Sequence, residues 1–357
     1  MRTGIANLPL HYGKCPSWLF NKMKLLAANI SNFVIYEYGS DELLKRLSDP
    51  YWFQSFACVL GFDWHSSGVT TTVCGALKEA FKRNDEIVVC GGKGRTSKKT
   101  PNEISSAAEK FSLSTNKIER LIYSSKMSAK IDNACIQDGY NLYHHVFIFN
   151  EKGKWCVIQQ GMNSKNHYAR RYHWLSDEVK SFVEEPNKIA CDRKEKKVLD
   201  MVAKQSNDVR KISVDIVNDK IFTRQTTIKS FFEKEKVLTM SQIHEIKNLS
   251  KQTIASLNKA YEIHPENYEE LVAIRGIGPK AIRALALISQ LIYGKEPSWE
   301  DPVKFSFSHG GKDGYPYFVD RKIYNKSIDI LRNAIENAKI GNKEKMFAIK
   351  RLNEFLV

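Results

Sequence analysis

Residues 270–287 read Glu-Leu-Val-Ala-Ile-Arg-Gly-Ile-Gly-Pro-Lys-Ala-Ile-Arg-Ala-Leu-Ala-Leu. Apolar residues at helical spacing lie on both sides of a Gly-Ile-Gly sequence, which predicts two helices joined by a tight turn. Pro279 opens the second helix, where its missing N–H is not needed. Gly276 and Gly278 leave the backbone bare. The amides of Gly276, Ile277 and Gly278 are therefore expected to approach an anion at a helix N-terminus.

Two cations follow this turn, Lys280 and Arg283, and a nucleic-acid phosphate is the natural anion for such a group. The pattern resembles the helix-hairpin-helix motif, with Ala281, Ile282 and Leu285 at its apolar positions. That resemblance implies sequence-independent binding to the DNA backbone. The alternative is a tight helical hairpin that serves only for packing.

The overall charge points to the same kind of partner. The chain has 357 residues, with 55 Lys and Arg against 40 Asp and Glu, and a net charge of +15. Such an excess favours a polyanion, although solubility or a heat-adapted surface is the simpler explanation. A run of about 18 apolar residues is absent, so no membrane span is expected. The N-terminus lacks a signal-peptide core, and the seven scattered cysteines have no CxxC spacing, which predicts reduced thiols and a cytoplasmic protein.

The clearest strands are residues 140–149 and 155–160, which are rich in aromatic and β-branched residues and are joined by Asn150-Glu-Lys-Gly153. They predict a β-hairpin. Helical patterns cover 16–38, 69–83 and 101–130, and a helix is also expected from Asp41; residues 86–90 predict a short strand. The expected fold is α+β: an N-terminal α/β domain with a short-stranded sheet, followed by an all-α C-terminal helix-hairpin-helix domain.

A charged segment near residues 186–197 marks the boundary between these parts. We expect an α/β domain with the catalytic site over 1–185, and a charged linker with helices over 186–237. A nucleic-acid-binding bundle is expected over 238–294, and a loop with closing helices over 295–357. The polar loop His309–Arg321 is expected to be available to complete an active site formed by another domain.

The loop Gly61–Gly68 places Asp63, His65 and two serines between two glycines. A carboxylate and an imidazole at this spacing suit a divalent metal or an acid/base pair. The hydroxyls would suit phosphate, and a capping turn is the plain alternative.

Acidic and amide groups at the ends of adjacent strands are typical of metal-dependent nucleases. Asp138 is predicted as a ligand of Mg²⁺ or Mn²⁺ together with Asp63 and His65, with His144 or His145 beside it. Gln159 completes the predicted catalytic set. It stands where a restriction-type core has an acidic residue, because the chain reads Gln159-Gln-Gly161.

Two more stretches are candidates for phosphate contact. Residues 91–100 read Gly-Gly-Lys-Gly-Arg-Thr-Ser-Lys-Lys-Thr, which predicts a basic loop in which Lys93 and Arg95 contact DNA. It lacks P-loop spacing, and a solvated loop is the alternative. In the second stretch, cations alternate with aromatic rings, which suits stacking on exposed bases. The residues concerned are Arg170, Arg171, Tyr172, His173 and Trp174.

Segments along most of the chain carry a second resemblance: residues 8–13, 61–68, 137–139, 159–161, 169–174 and 309–314. With them the chain resembles a family of uncharacterised prokaryotic proteins, many from thermophiles, described as a domain of unknown function. That family implies no particular reaction.

Three functions follow from these patterns. The first is a metal-dependent DNA nuclease of repair or recombination, acting on DNA that includes single-stranded or branched forms. The second is a DNA-binding accessory protein without catalysis. The third is a helix-hairpin-helix glycosylase, in which Lys280 would be the Schiff-base nucleophile and Asp301 the charge stabiliser.

Overall fold

The computed structural model describes residues 15–61, 67–82, 84–165, 167–191, 194–223, 250–304, 321–338 and 341–356. Within this part of the chain, every helix is too short or too polar to cross a lipid bilayer. All seven cysteines are described and free, as predicted.

A five-stranded antiparallel sheet lies at the centre, with strand order β1-β3-β4-β5-β6. The predicted hairpin is confirmed, since β3 and β4 pair from Asn141 opposite Met162 to Phe149 opposite Trp155. The strands are β1 (Ile87–Lys93), β3 (Asn141–Asn150), β4 (Trp155–Asn163), β5 (Tyr168–Leu175) and β6 (Lys188–Ala190). Two short strands, β2 (Ile136–Gln137) and β7 (Leu199–Asp200), form a separate antiparallel pair.

The sheet is buried on both faces because its strands alternate between two hydrophobic cores. We call one side the aromatic face; it carries Phe147, Phe149, Trp155, Val157, Tyr172 and Trp174. The opposite side is the aliphatic face; it carries Val146, Ile148, Cys156, Ile158 and Leu175.

Six of the described helices pack on the aliphatic face. Asp49 caps α3 by accepting the N–H of Trp52 at 2.8 Å, and Pro50 begins that helix, so the sequence Asp-Pro starts a helix here. The helices are α1 (Ser17–Tyr38), α2 (Ser40–Leu47), α3 (Pro50–Val59), α4 (Gly68–Ala80), α11 (Arg321–Asn337) and α12 (Asn342–Leu356).

Another six helices pack on the aromatic face. The predicted stretch 101–130 forms two of them, with a break that Ser114 closes by capping the second helix. These helices are α5 (Thr100–Lys110), α6 (Thr115–Lys130), α7 (Asn207–Asn218), α8 (Lys251–Ile263), α9 (Tyr268–Ala273) and α10 (Pro279–Tyr293). A π-helical turn, Ile131–Cys135, follows α6.

The α+β prediction is confirmed by this arrangement of helices around an antiparallel sheet. Each core includes residues from both sides of the boundary predicted at residue 185. The core on the aromatic face combines Phe147 with Leu285, and the core on the aliphatic face combines Ile148 with Leu331. The sheet and the C-terminal helices therefore share their apolar interiors.

Candidate active site

The predicted metal ligands are not brought together in the described chain. Asp63 and His65 lie outside the described residues. Asp138 is buried, and its Oδ2 accepts hydrogen bonds from Arg170 at 2.9 Å and from the Tyr172 hydroxyl at 2.7 Å. Burial raises the pKa of Asp138, and the Arg170 charge opposes that rise. The prediction of Asp138 as an open metal ligand is therefore wrong for this geometry, because its oxygens already have partners.

The described residues contain no group of three or more His, Cys, Asp and Glu side chains that could hold a metal ion. Gln159 also lies elsewhere than predicted. Its amide contacts His145 and Asp132, and the neighbours of Asp138 are Arg170, Tyr172 and the N–H of Tyr140. His145 therefore lies beside Gln159, whereas the sequence suggested a place beside Asp138.

The predicted base-stacking cluster is part of the interior. Arg170, Arg171, Tyr172, His173 and Trp174 belong to β5, and each is at most 1% exposed. The pairing of cations with rings is real but intramolecular, since the Arg170 guanidinium lies 4.5 Å from the centre of the Tyr140 ring. A cluster that is buried in this way cannot stack on exposed bases, so that prediction is corrected.

The glycosylase pair is not free to act either. Asp301 is buried, and both of its carboxylate oxygens accept hydrogen bonds from Arg170, at 2.7 and 3.1 Å. Lys280 is exposed. The Asp301 carboxylate therefore balances the charge of Arg170. In this geometry it is not placed to stabilise a cation formed on Lys280.

The turn between α9 and α10 differs in part from the prediction. Gly276 has φ of +102°, and a Cβ there would lie 2.5 Å from the Ser256 hydroxyl, so glycine is needed for the fold. The Ile277 N–H donates to the Ile274 carbonyl at 3.2 Å and is not available to an anion. Among the described residues, the N–H groups of Gly276 and Gly278 have no acceptor.

Of the two cations predicted beside this turn, Lys280 is exposed and Arg283 is not. Arg283 is 5% exposed, donates to the Gln137 side chain, and has its pKa lowered to about 10 by burial. Arg275, which the sequence did not single out, is exposed in the turn. The exposed charges of the turn are therefore Arg275 and Lys280.

The basic loop 91–100 forms the end of β1 and a 3₁₀ turn, Gly94–Lys99. Gly91 serves the fold, because its φ is +92° and a Cβ would overlap the His145 carbonyl oxygen. The side chains of Lys93 and Arg95 are exposed, which suits both the predicted contact with DNA and a solvated loop. We call residues 93–99 the basic turn; its exposed cations are Lys93, Arg95, Lys98 and Lys99.

A pocket of about 210 Å³ lies beside the basic turn, between α6 and β3. Ser97 and Lys98 of the basic turn line one part of it. Ser125 and Lys126 of α6 and His145 of β3 line another. The pocket thus combines exposed cations at its rim with a hydroxyl and an imidazole on its wall.

Ser125 and His145 belong to a buried hydrogen-bonded chain on the aromatic face. Ser125 Oγ lies 2.9 Å from His145 Nε2, and His145 Nδ1 lies 2.7 Å from Gln159 Oε1. Gln159 Nε2 donates to the Ser128 carbonyl at 3.0 Å and to Asp132. Asp132 also accepts from Trp174 Nε1 at 2.8 Å and from Asn187. We call Ser125, His145, Gln159 and Asp132 the Ser–His relay.

These contacts determine which nitrogen of His145 carries the proton. The Ser128 carbonyl can only accept, so the amide nitrogen of Gln159 must face it. The amide oxygen then faces His145 Nδ1, which must donate. His145 Nε2 is therefore an acceptor, and the Ser125 hydroxyl donates to it.

Burial sets the charges of the relay. It lowers the pKa of His145 to about 4, an effect that the hydrogen bond with Gln159 partly opposes. Burial raises the pKa of Asp132 to about 8, while the hydrogen bonds from Trp174, Gln159 and Asn187 lower it. His145 is accordingly neutral at pH 7, and its Nε2 carries a lone pair that faces Ser125.

Sequence reasoning identified His145 and Gln159 but not Ser125 or Asp132. Ser125 lies within α6, where a serine at one position of an amphipathic helix carries no local signal. Asp132 lies in the π-helical turn after that helix, and a π-helical turn is often associated with a functional site. In the sequence, the helical pattern ends after residue 130, just before Asp132, and this was the signal that could have pointed to Asp132.

Comparison with known proteins gives a family but no activity. The model of the family described as protein of unknown function (DUF763) matches residues 4–319. No curated protein and no solved structure matched the chain. Since the family model spans most of the sequence, the chain belongs to the DUF763 family of proteins of unknown function.

Proposed function

We propose that this protein binds the phosphate backbone of nucleic acid, with DNA favoured, and cleaves phosphodiester bonds in the pocket beside the basic turn. The observation that carries the proposal is the state of the cations in the basic turn. Within the described residues, Lys93, Arg95, Lys98 and Lys99 form no ion pair with a carboxylate.

Some other lysines on the surface are paired. Six of them lie 2.6 to 2.9 Å from a carboxylate oxygen: Lys78, Lys82, Lys110, Lys154, Lys188 and Lys295. The basic turn is thus a local excess of positive charge on a chain with a net charge of +15. Uncompensated cations beside a pocket suit a polyanionic strand whose phosphates they would neutralise.

The turn between α9 and α10 supports the same proposal. Gly278 has ordinary extended backbone, and a Cβ there would meet nothing closer than the Gly276 carbonyl oxygen at 4.0 Å. Protein packing therefore gives no reason for glycine at this position. A bare backbone next to Arg275 and Lys280 suits close approach of a phosphate to the N–H of Gly278.

Cleavage could depend on a divalent metal, Mg²⁺ or Mn²⁺, and the experiment tests for that dependence. Asp138 is committed to Arg170 and would have to exchange that partner in order to bind an ion. The experiment therefore compares Mn²⁺ with EDTA and does not assume either result.

The test uses fluorescently labelled single-stranded, duplex and branched DNA, with matched RNA, and follows binding by anisotropy over a salt series and cleavage on denaturing gels. The proposal predicts salt-sensitive binding and shortened products. Arg95→Glu combined with Lys99→Glu should weaken binding by about tenfold or more, because each phosphate contact contributes to the salt-dependent affinity.

Lys45→Glu combined with Lys152→Glu is the matched control, because both lysines are exposed and the pair carries the same charge change. It should bind as the wild type does. Salt-sensitive binding without product would support the accessory role in place of cleavage. A protein that ignores every polynucleotide at low salt would overturn the proposal.

A further inference from the structure

We infer that Ser125 is a nucleophile that attacks the phosphorus of a phosphodiester, with His145 as its general base. This inference rests on the proposed function for its substrate class and adds the identity of the attacking group. Its basis is the Ser–His relay, which lines a pocket next to unpaired cations.

The geometry is that of an activated hydroxyl. Ser125 Oγ donates to His145 Nε2 at 2.9 Å, and the opposite ring nitrogen donates to Gln159 at 2.7 Å. A nucleophile, a base and a residue that orients the base are the three parts such chemistry needs. Here the orienting residue is an amide.

The Gln159 side chain has three hydrogen-bond partners: His145, the Ser128 carbonyl and Asp132. The Ser128 carbonyl and Asp132 fix its nitrogen, and Trp174 and Asn187 fix Asp132. All of these groups are buried or half-buried. The relay thus places the lone pair of His145 Nε2 towards Ser125. The imidazole ring cannot flip to exchange its two nitrogens without breaking several of these hydrogen bonds.

The charges nearest the pocket select an anionic ester. Lys98 and Lys126 line it and are exposed, and among the described residues no carboxylate side chain lines it. A phosphodiester that enters would have its negative charge stabilised by these cations as the attack proceeds. A carboxylic ester is neutral before it reacts, so these cations would not attract it into the pocket as they would attract a phosphodiester.

The reaction balances in two steps. Ser125 Oγ forms a bond to phosphorus, its proton passes to His145 Nε2, and the bond from phosphorus to one ester oxygen breaks. That oxygen takes the proton from His145 and leaves as an alcohol. In the second step water gives a proton to His145 and attacks phosphorus; the phosphoserine bond breaks, and the serine oxygen regains its proton. No oxidant or reductant is involved.

The experiment uses the full chain and two probes. The first is DNA labelled at its internal phosphates, quenched in acid during turnover, so that transfer of phosphate to the protein can be measured. The second is a fluorophosphonate, which forms a serine–phosphorus bond with loss of fluoride. Tryptic cleavage should release residues 121–126, which contain both Ser124 and Ser125, and fragmentation distinguishes the two.

Ser125→Ala should lower cleavage at least about 100-fold while DNA affinity stays within twofold of wild type. Ser124→Ala is the matched control, because Ser124 is the adjacent serine and its hydroxyl donates to the Arg120 carbonyl within the same helix. It should retain both cleavage and labelling. Circular dichroism confirms that both variants fold.

Phosphorus found on Ser125 from either probe supports the inference, and the fluorophosphonate result does so even if DNA is not a substrate. Cleavage that Ser125→Ala retains would overturn the inference and leave the proposed function standing. Wild-type protein that shows neither a DNA adduct nor fluorophosphonate labelling at Ser125 would overturn the inference too. If fluorophosphonate labels Ser125 of the wild-type protein but the protein does not bind polynucleotide, the proposed function is wrong and the inference about Ser125 stands.

Discussion

Arg170 holds both carboxylate oxygens of Asp301, with Nη2 2.7 Å from Oδ2 and Nη1 3.1 Å from Oδ1. The same guanidinium donates to Asp138 at 2.9 Å, so one buried cation balances two buried acids. The contact joins β5 to the segment after α10. It therefore fastens the C-terminal helices to the sheet through charge as well as through apolar packing.

Removal of this cation should be costly. Arg170→Met leaves Asp138 and Asp301 buried without their partner, and we expect the free energy of unfolding to fall by about 3–5 kcal/mol. Urea unfolding followed by circular dichroism measures the change. Arg95→Met, which removes an exposed arginine, should stay within about 0.5 kcal/mol of wild type. Equal stability of the two variants would show that the buried charges contribute little.

Two glycines should respond in opposite directions to alanine. At Gly161 in β4, a Cβ would lie 2.8 Å from the Tyr140 carbonyl oxygen, so strands must move, and a loss of about 1–3 kcal/mol is expected. At Gly75 in α4, the nearest atoms are ring carbons of Phe20 at 3.8 Å. Gly75→Ala should therefore gain up to about 1 kcal/mol from helix propensity. Thermal unfolding of both variants checks the contrast, and a stabilised Gly161→Ala would contradict it.

His144 should make the fold sensitive to acid. It is buried on the aliphatic face, neither ring nitrogen has a hydrogen-bond partner among the described residues, and burial lowers its pKa from 6.5 to about 3. Because the unfolded chain binds a proton more readily, stability is lost as pH falls from about 6.5 towards the folded pKa.

His144→Phe should remove that loss, which at pH 4.5 is about 2.7 kcal/mol. At pH 7 it should be no less stable than wild type, since it also removes unsatisfied nitrogens. The free energy of unfolding at both pH values gives the answer. His167→Asn, at an exposed histidine, should leave the pH dependence unchanged. An undiminished loss in His144→Phe would assign acid sensitivity to other groups, with His145 the first among them.

Gly278 offers a test of backbone contact that spares the fold. Gly278→Ala adds a methyl group where nothing lies closer than 4.0 Å, so stability should stay within about 0.5 kcal/mol of wild type. If a phosphate approaches this N–H, DNA affinity should fall severalfold. Lys280→Glu should lower affinity by about tenfold and flatten its salt dependence, as loss of a phosphate contact does. Anisotropy that detects no change in either variant would exclude this turn from the binding surface.

The parts of the fold that could be predicted have local causes. The aromatic and β-branched residues of 140–149 and 155–160, with Asn150 and Gly153 between them, predicted the hairpin of β3 and β4. The two flanks of the Gly276–Gly278 turn are likewise helical, as their apolar spacing indicated.

The errors have distant causes. Arg170 to Trp174 has the composition of a nucleic-acid surface, and it is buried because Asp138 and Asp301 neutralise Arg170 from 32 and 131 positions away. The Ser–His relay joins a helix to two strands, with Ser125 20 positions from His145. Nothing in the immediate neighbourhood of either group shows these pairings. Whether these charged and polar side chains are exposed or buried depends on partners that only the folded chain brings together.

The contact between α1 and α11 has a consequence for how the protein emerges from the ribosome. Every strand of the sheet is translated after α1 and before α11. At ordinary elongation rates the two helices are made roughly 15 to 60 seconds apart. Helices α2 and α4 also contact α1 and are made soon after it, but the part of α1 that contacts α11 lacks that partner throughout the interval. That part of the nascent chain therefore offers chaperones a long-lived binding site.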